Sequence, residues 1–210
     1  MKDKIRIIDN FLNTQDFEKL NSINLDSIPG DKISVYHNEI DKNNKIKTSC
    51  LDKSLILNLH KNYHSKTIKI LEDLNYEKSK LYDYSDFTII KTGKNYKFPI
   101  HDDTPNKLLS GVIYLYPKDN TGTIFYSNKN GDSKKIVEWK QNRAVFFSRV
   151  EKETWHSYEG DGFSDRIALV YNLMTYDIKS VYSIEKKNYF FGNLRWKANP
   201  YLYRFLKINI

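Results

Sequence analysis

The sequence predicts an α+β fold in which two N-terminal helices cover one face of a largely antiparallel β core of jelly-roll type. Before residue 75, apolar residues recur at three- and four-residue spacing, which is the period of an amphipathic helix. After residue 75, the chain changes to short β-branched and aromatic runs separated by Gly, Pro, Asn and Asp. Helices that precede a block of strands in this way are typical of α+β proteins.

The first part of the chain, about residues 1–80, is predicted to be a helical support. A short strand is expected at 5–8, where β-branched residues cluster. A helix is expected over about 14–25, capped by Asn13 or Thr14. A second helix is expected over 52–74, and its apolar stripe consists of Leu55, Leu59, Tyr63, Ile70, Leu71 and Leu74.

The β core is predicted over about residues 81–176. Its strands are expected at 82–91, 110–116, 121–127, 143–148 and 166–174. The remaining C-terminal arm, about 177–210, is rich in basic and aromatic residues and is expected either to pack on the core or to form an interface. We interpret residues 1–210 as a single domain, since the length suits one.

Composition excludes several classes of protein. A single cysteine, Cys50, excludes an internal disulfide framework and a cysteine-rich zinc site. No apolar run approaches the length of a membrane span and the N-terminus has no apolar signal region, so a cytoplasmic protein without a membrane partner is expected. The formal net charge of +8 allows a nucleic-acid partner. It does not favour one, because most of the basic residues are Lys and base readout relies on Arg.

Two short motifs carry candidate chemistry. His101 and Asp103 are two residues apart, so in an extended segment both side chains point to one face. They offer two of the three ligands of a 2-His-1-carboxylate site for non-heme Fe(II). The alternative is a solvated His–Asp pair in a surface turn. His156 lies further along the chain as a candidate third ligand.

Arg166 follows ten residues after His156 and opens an apolar strand. A charge that enters a strand of core residues must find a partner. A bound dicarboxylate is one solution, because a guanidinium binds a carboxylate through two hydrogen bonds. An ion pair with Asp161 or Asp165 is the other.

In this order and spacing, these residues resemble the Fe(II)/2-oxoglutarate-dependent oxygenases, specifically the prolyl-4-hydroxylase-like branch. The resemblance is carried by the His101-x-Asp103 pair, by His156 and by Arg166 ten positions later. The strands around 108–116 and 121–126 are also similar to the family. The similarity spans about residues 5–174, with specific motifs only between 96 and 172.

The resemblance implies a double-stranded β-helix, the jelly-roll core of that family. His101, Asp103 and His156 would then hold Fe(II), and Arg166 would bind the far carboxylate of 2-oxoglutarate. O2 would be the co-reactant and ascorbate a supporting reductant. The implied function is a dioxygenase that hydroxylates a C–H bond of a small molecule, an amino acid or a peptidyl residue, prolyl included, with release of succinate and CO2.

Some features depart from the family or leave alternatives open. Asp103 retains the carboxylate that related halogenases lack, so hydroxylation is expected. Ala168 stands where some relatives have Ser. The family's cosubstrate-binding tyrosine has four candidates, namely Tyr84, Tyr96, Tyr114 and Tyr116. We select Tyr114 as the 2-oxoglutarate contact, with an ordinary barrel-lining aromatic as the alternative.

Two other functions remain as alternatives. Oxidative demethylases of alkylated nucleic acid share a second Arg six residues after the cosubstrate Arg, where this chain has Asn172. A cupin-like metal-binding protein usually has closely spaced His residues, and none lies near His101. The C-terminal arm is a further candidate surface for dimerisation or nucleic acid, through Arg195, Trp196, Lys197, Tyr201, Tyr203 and Arg204, although packing on the core is favoured.

The remaining histidines are interpreted as structural. His37 forms a second His-x-carboxylate pair with Glu39, but it lies before the second helix. His60 and His64 are four residues apart, as in zinc proteases, yet the catalytic Glu is missing. A solvated helix face is expected for this pair. Substrate selection is assigned to loops at 32–47, 75–80 and 96–97.

Overall fold

A computed structural model describes residues 5–206, with side chains through residue 198. In this range the helices are α1 Thr14–Asn21, α2 Lys53–Ser79, α3 Ile178–Ile184 and α4 Tyr189–Leu206. The strands are β1 Ile5–Ile8, β2 Ile33–Tyr36, β3 Glu39–Asp41, β4 Ile46–Thr48, β5 Tyr84–Thr92, β6 Lys97–His101, β7 Lys107–Tyr116, β8 Thr123–Tyr126, β9 Lys135–Val137, β10 Ala144–Phe147, β11 Trp155–Glu159 and β12 Arg166–Met174.

Two antiparallel sheets organise these strands. The larger sheet has the order β1-β10-β7-β12-β5-β3-β4, and β2 also pairs with β5. The smaller sheet has the order β6-β11-β8-β9. The chain passes back and forth between the sheets from β5 to β12, so residues distant in sequence face one another across the interior. The predicted α+β class with antiparallel sheets is confirmed.

Strand β12 shows how the larger sheet separates two interiors. Leu169 and Tyr171 point to the helical side, where they join a core built with Leu59 and Leu71 of α2. The alternate residues, Arg166, Ala168, Val170 and Asn172, line a cavity on the side of the smaller sheet. Because successive side chains of a strand point to opposite faces, one strand supplies both a hydrophobic core and a polar cavity.

The carboxylate of Asp16 joins α1 to α2. It is buried and accepts hydrogen bonds from Asn58 Nδ2 at 2.7 Å, Asn62 Nδ2 at 3.0 Å and Tyr63 Oη at 2.7 Å. Asn13 caps α1 by accepting from the Asp16 amide and also donates to the Asp16 side chain at 2.8 Å. The helical layer is therefore held by polar contacts as well as by its apolar stripe.

The structure also differs from the sequence expectation in several places. Three strands, β2, β3 and β4, lie in the stretch interpreted as a substrate loop, and β2 and β3 pair with β5. A single-sequence pattern misses such short strands, because pairing with β5 stabilises them and their own periodicity is weak. α2 extends to Ser79, with Asn75 non-helical at φ −162° and ψ 90°.

In the described part of the chain, no helix is both long and apolar enough to cross a membrane.

Asp16→Ala is expected to lower the free energy of unfolding by about 3 kcal/mol, since it leaves several buried donors without an acceptor. Urea denaturation monitored by circular dichroism measures this change. Asp73→Ala, at an exposed position of α2, serves as the control and should remain within about 0.5 kcal/mol of the original protein. Equal midpoints for the two variants would contradict the role of Asp16.

Candidate functional site

Three side chains predicted as metal ligands meet at one point between the sheets. β6 and β11 pair antiparallel with His101 directly opposite His156, and their ring centroids lie 4.2 Å apart. Asp103 follows β6 and turns back toward them. One ligand atom from each of His101, Asp103 and His156 lies within 4.8 Å of the other two. Within the described residues, this is the one group of three or more such side chains close enough to share a metal ion.

Hydrogen bonds orient both imidazoles in the same way. His101 Nδ1 lies 2.9 Å from the carbonyl oxygen of Pro99, and His156 Nδ1 lies 2.9 Å from that of Thr154. A carbonyl oxygen only accepts, so each Nδ1 carries the proton and donates it. Each Nε2 is then left with a lone pair for a metal. Metal-binding histidines in proteins are commonly held in this manner.

Asp103 is the buried anion of the group, only 6% exposed. Lys107 Nζ lies 2.7 Å from its Oδ1, and Ser110 Oγ donates to Oδ2. Burial raises the pKa of Asp103, but the net shift is downward, and the positive charge of Lys107 comes first among the causes that lower it. The carboxylate is therefore ionised, as a metal ligand must be.

The imidazole of His101 is neutral near pH 7. Burial, together with the neighbouring His156, lowers the pKa of His101 to about 3. A neutral imidazole keeps the lone pair that binds a metal. Two histidines and one carboxylate are the donor set that suits non-heme Fe(II), so the residues present fit that ion.

Arg166 lies in the same cavity and is 5% exposed. Its guanidinium carbon sits 3.9 Å from the ring centroid of Tyr158 and 5.1 Å from that of Trp139. Among the described residues no carboxylate lies within ion-pairing distance, and Nε has no hydrogen-bond partner. A buried cation that contacts aromatic faces and no anion is well suited to binding an anionic ligand.

Neither ion pair considered for Arg166 is formed. Asp165 pairs with Lys91 at 3.6 Å. Asp161 accepts from Asn120 Nδ2 at 2.9 Å and from two backbone amides of its own loop. Both carboxylates are engaged elsewhere, so neither is an ion-pair partner of Arg166.

Tyr114 is fully buried and is engaged with Thr123. Its hydroxyl donates to Thr123 Oγ1 at 2.8 Å and accepts from the Thr123 amide at 2.9 Å, while its ring stacks on Trp139. Thr123 itself lines the cavity. The hydroxyl of Tyr114 thus binds a residue that lines the cavity near Arg166. A contact between Tyr114 and 2-oxoglutarate stays a prediction.

Sequence reasoning missed several residues of the cavity. Tyr158 lies against Arg166 and donates to Thr92 Oγ1. Lys107 and Ser110 both bind Asp103. One signal was present in the sequence, because Tyr158 is two residues after His156 and residues so spaced in a strand share a face. The spacing of Asp103 and Lys107 gave no such indication, since a turn joins them.

The other histidines lie outside this group. His37 Nδ1 is 3.1 Å from Asp86 Oδ1, and the hydrogen bond to Asp86 raises the pKa of His37. His60 and His64 stack on α2 with centroids 4.4 Å apart. The expectation of a solvated face was wrong for His60, which is buried, and burial lowers its pKa to about 4.

The sequence matches no family model and no curated protein. Its fold, however, resembles solved structures. A Pseudomonas putida prolyl-4-hydroxylase matches with a TM-score of 0.53 and 14% identity, over 82% of this chain and 92% of that one. An oxidoreductase of the 2OG-Fe(II) oxygenase family from Burkholderia pseudomallei matches with a TM-score of 0.57 and 15% identity, over 81% and 84% of the two chains.

A third similar structure is a prolyl hydroxylase from Trichoplax adhaerens, solved in complex with a hypoxia inducible factor oxygen degradation domain peptide fragment. It matches with a TM-score of 0.56 and 15% identity, over 85% of this chain and 87% of that one. At these identities the likeness establishes the fold. This chain therefore has the fold of the 2OG-Fe(II) oxygenase and prolyl hydroxylase structures.

Asp103→Ala and His156→Ala are each expected to weaken Fe(II) binding by at least about 100-fold, because a direct ligand should matter more than the supporting contacts that tune metal sites. Anaerobic calorimetric titration of the metal-free protein measures this. His37→Ala removes the competing His-x-carboxylate pair and should leave affinity unchanged. Wild-type affinity in Asp103→Ala would place the carboxylate ligand elsewhere.

Proposed function

We propose that this protein is an Fe(II)- and 2-oxoglutarate-dependent dioxygenase. It would hydroxylate a C–H bond of a small molecule, an amino acid or a peptidyl residue, prolyl included, and release succinate and CO2. One observation carries the proposal: His101, Asp103 and His156 line a single cavity together with the buried Arg166, which pairs with no carboxylate of the described residues.

The topology supports the same proposal. The inner strands of the larger sheet follow the order β5-β12-β7-β10, and the smaller sheet follows β6-β11-β8-β9. From β5 to β12, consecutive strands therefore alternate between the two sheets, except that β8 and β9 are neighbours in the smaller sheet. We infer from this alternation that the core is a double-stranded β-helix, the jelly-roll form implied by the sequence resemblance.

In this proposal His101, Asp103 and His156 hold the iron. When bound together, Fe(II), 2-oxoglutarate and O2 supply the oxidative decarboxylation and the oxidising power for C–H hydroxylation. Arg166 binds the far carboxylate of 2-oxoglutarate through its planar fork and so fixes which end of the cosubstrate faces the metal. Tyr158 and the neighbouring apolar side chains exclude water around that contact.

The chain's own residues also bear on the reaction type. The related halogenases lack the ligand carboxylate, which leaves a metal position open for a halide. Asp103 supplies that carboxylate here, so hydroxylation is the proposed reaction. Asn172 donates to Asp86 Oδ2 at 3.0 Å instead of providing a second Arg, which does not favour nucleic-acid demethylation. A cupin-like metal-binding protein would not account for a buried Arg166 that pairs with no carboxylate of the described residues.

A peptidyl substrate is one member of the proposed class, since the Trichoplax adhaerens structure holds a peptide fragment. Ascorbate as a reductant and a cytoplasmic setting belong to the same proposal. Dimerisation through the C-terminal arm stays a prediction. Tyr201, Tyr203 and Arg204 of that arm lie outside the residues whose side chains are described.

Purified protein supplied with Fe(II), ascorbate, O2 and 2-oxoglutarate is expected to release succinate slowly even without a substrate. Chromatographic quantification of succinate measures it. Omitting 2-oxoglutarate or Fe(II), or substituting His156→Ala, should abolish the signal. The absence of succinate from the complete mixture, together with no binding of 2-oxoglutarate to the metal-loaded protein, would contradict the proposed function.

Arg166→Met is expected to weaken 2-oxoglutarate binding to the metal-loaded protein by about 100-fold, because loss of a buried charge partner costs a few kcal/mol. Metal affinity should change little, since Arg166 touches none of the three ligands. Arg166→Lys keeps the charge without the fork and should fall between. Arg143→Met is the control, because Arg143 pairs with Asp9 at the surface. Unchanged 2-oxoglutarate affinity in Arg166→Met would exclude it as the carboxylate anchor.

A further inference from the structure

The loop that carries Asp103 lies between β6 and β7, outside both sheets. No ladder of strand hydrogen bonds therefore fixes the backbone of this proposed metal ligand. Two arginines hold the loop instead. Arg149 Nε donates to the carbonyl oxygen of Asp103 at 3.1 Å. Arg195 lies against Asp102, the residue between His101 and Asp103.

Arg149 belongs to a buried charge cluster that reaches the C-terminal helices. It is fully buried and donates from Nη1 to both carboxylate oxygens of Glu185, at 2.9 and 2.7 Å. Lys78 Nζ, at the end of α2, lies 2.6 Å from Glu185 Oε1, and the Glu151 amide donates to Oε2. Glu185 directly follows α3, so this cluster ties α3 to α2 and to the Asp103 loop.

Arg195 makes the second connection, from α4. Its Nη2 lies 2.8 Å from Asp102 Oδ2, and its Nε lies 3.2 Å from Glu151 Oε1. The Lys152 amide donates to the same Asp102 oxygen at 2.9 Å. The side chains of Arg195 and Asp102 are 15% and 6% exposed, so water screens this pair less than it screens a surface ion pair.

Helices α3 and α4 pack closely against each other, which fixes the positions of the charged residues that they carry. A side chain at Gly192 of α4 would collide with the ring of Tyr182 in α3, since even a Cβ atom there would come within 2.3 Å of it. The guanidinium of Arg149 lies 5.5 Å from the centroid of the same ring. Helices α3 and α4 therefore approach the Asp103 loop as a packed pair.

We propose that α3 and α4 support the metal centre from outside and that Arg195 and Arg149 are positioning residues for Asp103. Arg195 acts through Asp102, and Arg149 acts through the carbonyl oxygen of Asp103. Together they hold the Asp103 carboxylate within reach of His101 and His156. This inference rests on the proposed function only in treating the three side chains as a metal site. Since linkage is reciprocal, a bound metal should in turn stabilise the docking of α3 and α4.

Titration of the metal-free protein with Co(II), without 2-oxoglutarate, tests this inference. Arg195→Met is expected to weaken Co(II) binding by about 10-fold, the lower end of the range for residues that support metal ligands. Lys187→Met is the matched control. Lys187 precedes α4 and pairs with Glu153 at 3.0 Å, so it binds the loop between β10 and β11, as Arg195 does through Glu151, without touching residues 101–103. It should bind Co(II) with wild-type affinity.

A double-mutant cycle with Asp102→Ala separates positioning from general loss of stability. If Arg195 acts through Asp102, the double variant should bind Co(II) about as well as the weaker single variant. Thermal unfolding of the metal-free variants should differ little between Arg195→Met and Lys187→Met. Hydrogen exchange in α3 and α4 should slow when Co(II) binds to the wild-type protein, and this slowing should shrink in Arg195→Met.

The inference is overturned if Arg195→Met binds Co(II) within twofold of wild type, or if Lys187→Met weakens binding equally. The inference is also overturned if the fold-losses of Co(II) affinity in the two single variants multiply in the double variant, because Arg195 and Asp102 would then act independently. These outcomes are distinct from failure of the proposed function. Absence of succinate release would leave Co(II) affinities intact, whereas unaltered Co(II) affinity in Arg195→Met would leave the oxygenase assignment standing.

Discussion

The burial of the Asp103 carboxylate is the constraint on which the site depends. An isolated carboxylate is costly to remove from water, so its surroundings must supply positive charge or hydrogen-bond donors. Lys107 supplies a positive charge and Ser110 supplies a hydrogen-bond donor in this protein. A divalent cation between Asp103 and the imidazoles would add the strongest compensation of all. The arrangement is thus stable as a protein site and suited to metal binding for the same electrostatic reason.

The larger sheet satisfies this constraint because its two faces differ in chemistry. Its outer face packs under α1 and α2 and provides most of the hydrophobic core. That leaves the inner face free to carry polar groups, from Arg166 at the start of β12 to Asn172 near its end. Hydrophobic burial on one side of the sheet thereby offsets the cost of placing charged groups on the other.

Local rules indicated candidate residues, and the resemblance in their order and spacing joined them into one predicted site. Two-residue periodicity placed His101 and Asp103 on one face, and the charge of Arg166 was conspicuous in an apolar strand. Rules of this kind fail for contacts made across long sequence separations. Lys78 and Glu185 are 107 positions apart, and no pattern in either segment indicates that they meet. Similarly, β2 and β3 form because β5 offers them a pairing partner, and β4 forms because it pairs with β3, so their own sequences predict only a loop.

Two basic residues of the C-terminal arm are engaged in ion pairs within the molecule. In the described part of the C-terminal arm, Arg195 pairs with Asp102 and Glu151, and Lys187 pairs with Glu153. Asp102 lies in the Asp103 loop, and Glu151 and Glu153 lie in the loop between β10 and β11 that precedes His156. The arm's cations therefore compensate acidic residues of the site's own scaffold. Cations engaged in this way are less available to a nucleic acid, so the net charge by itself does not indicate such a partner.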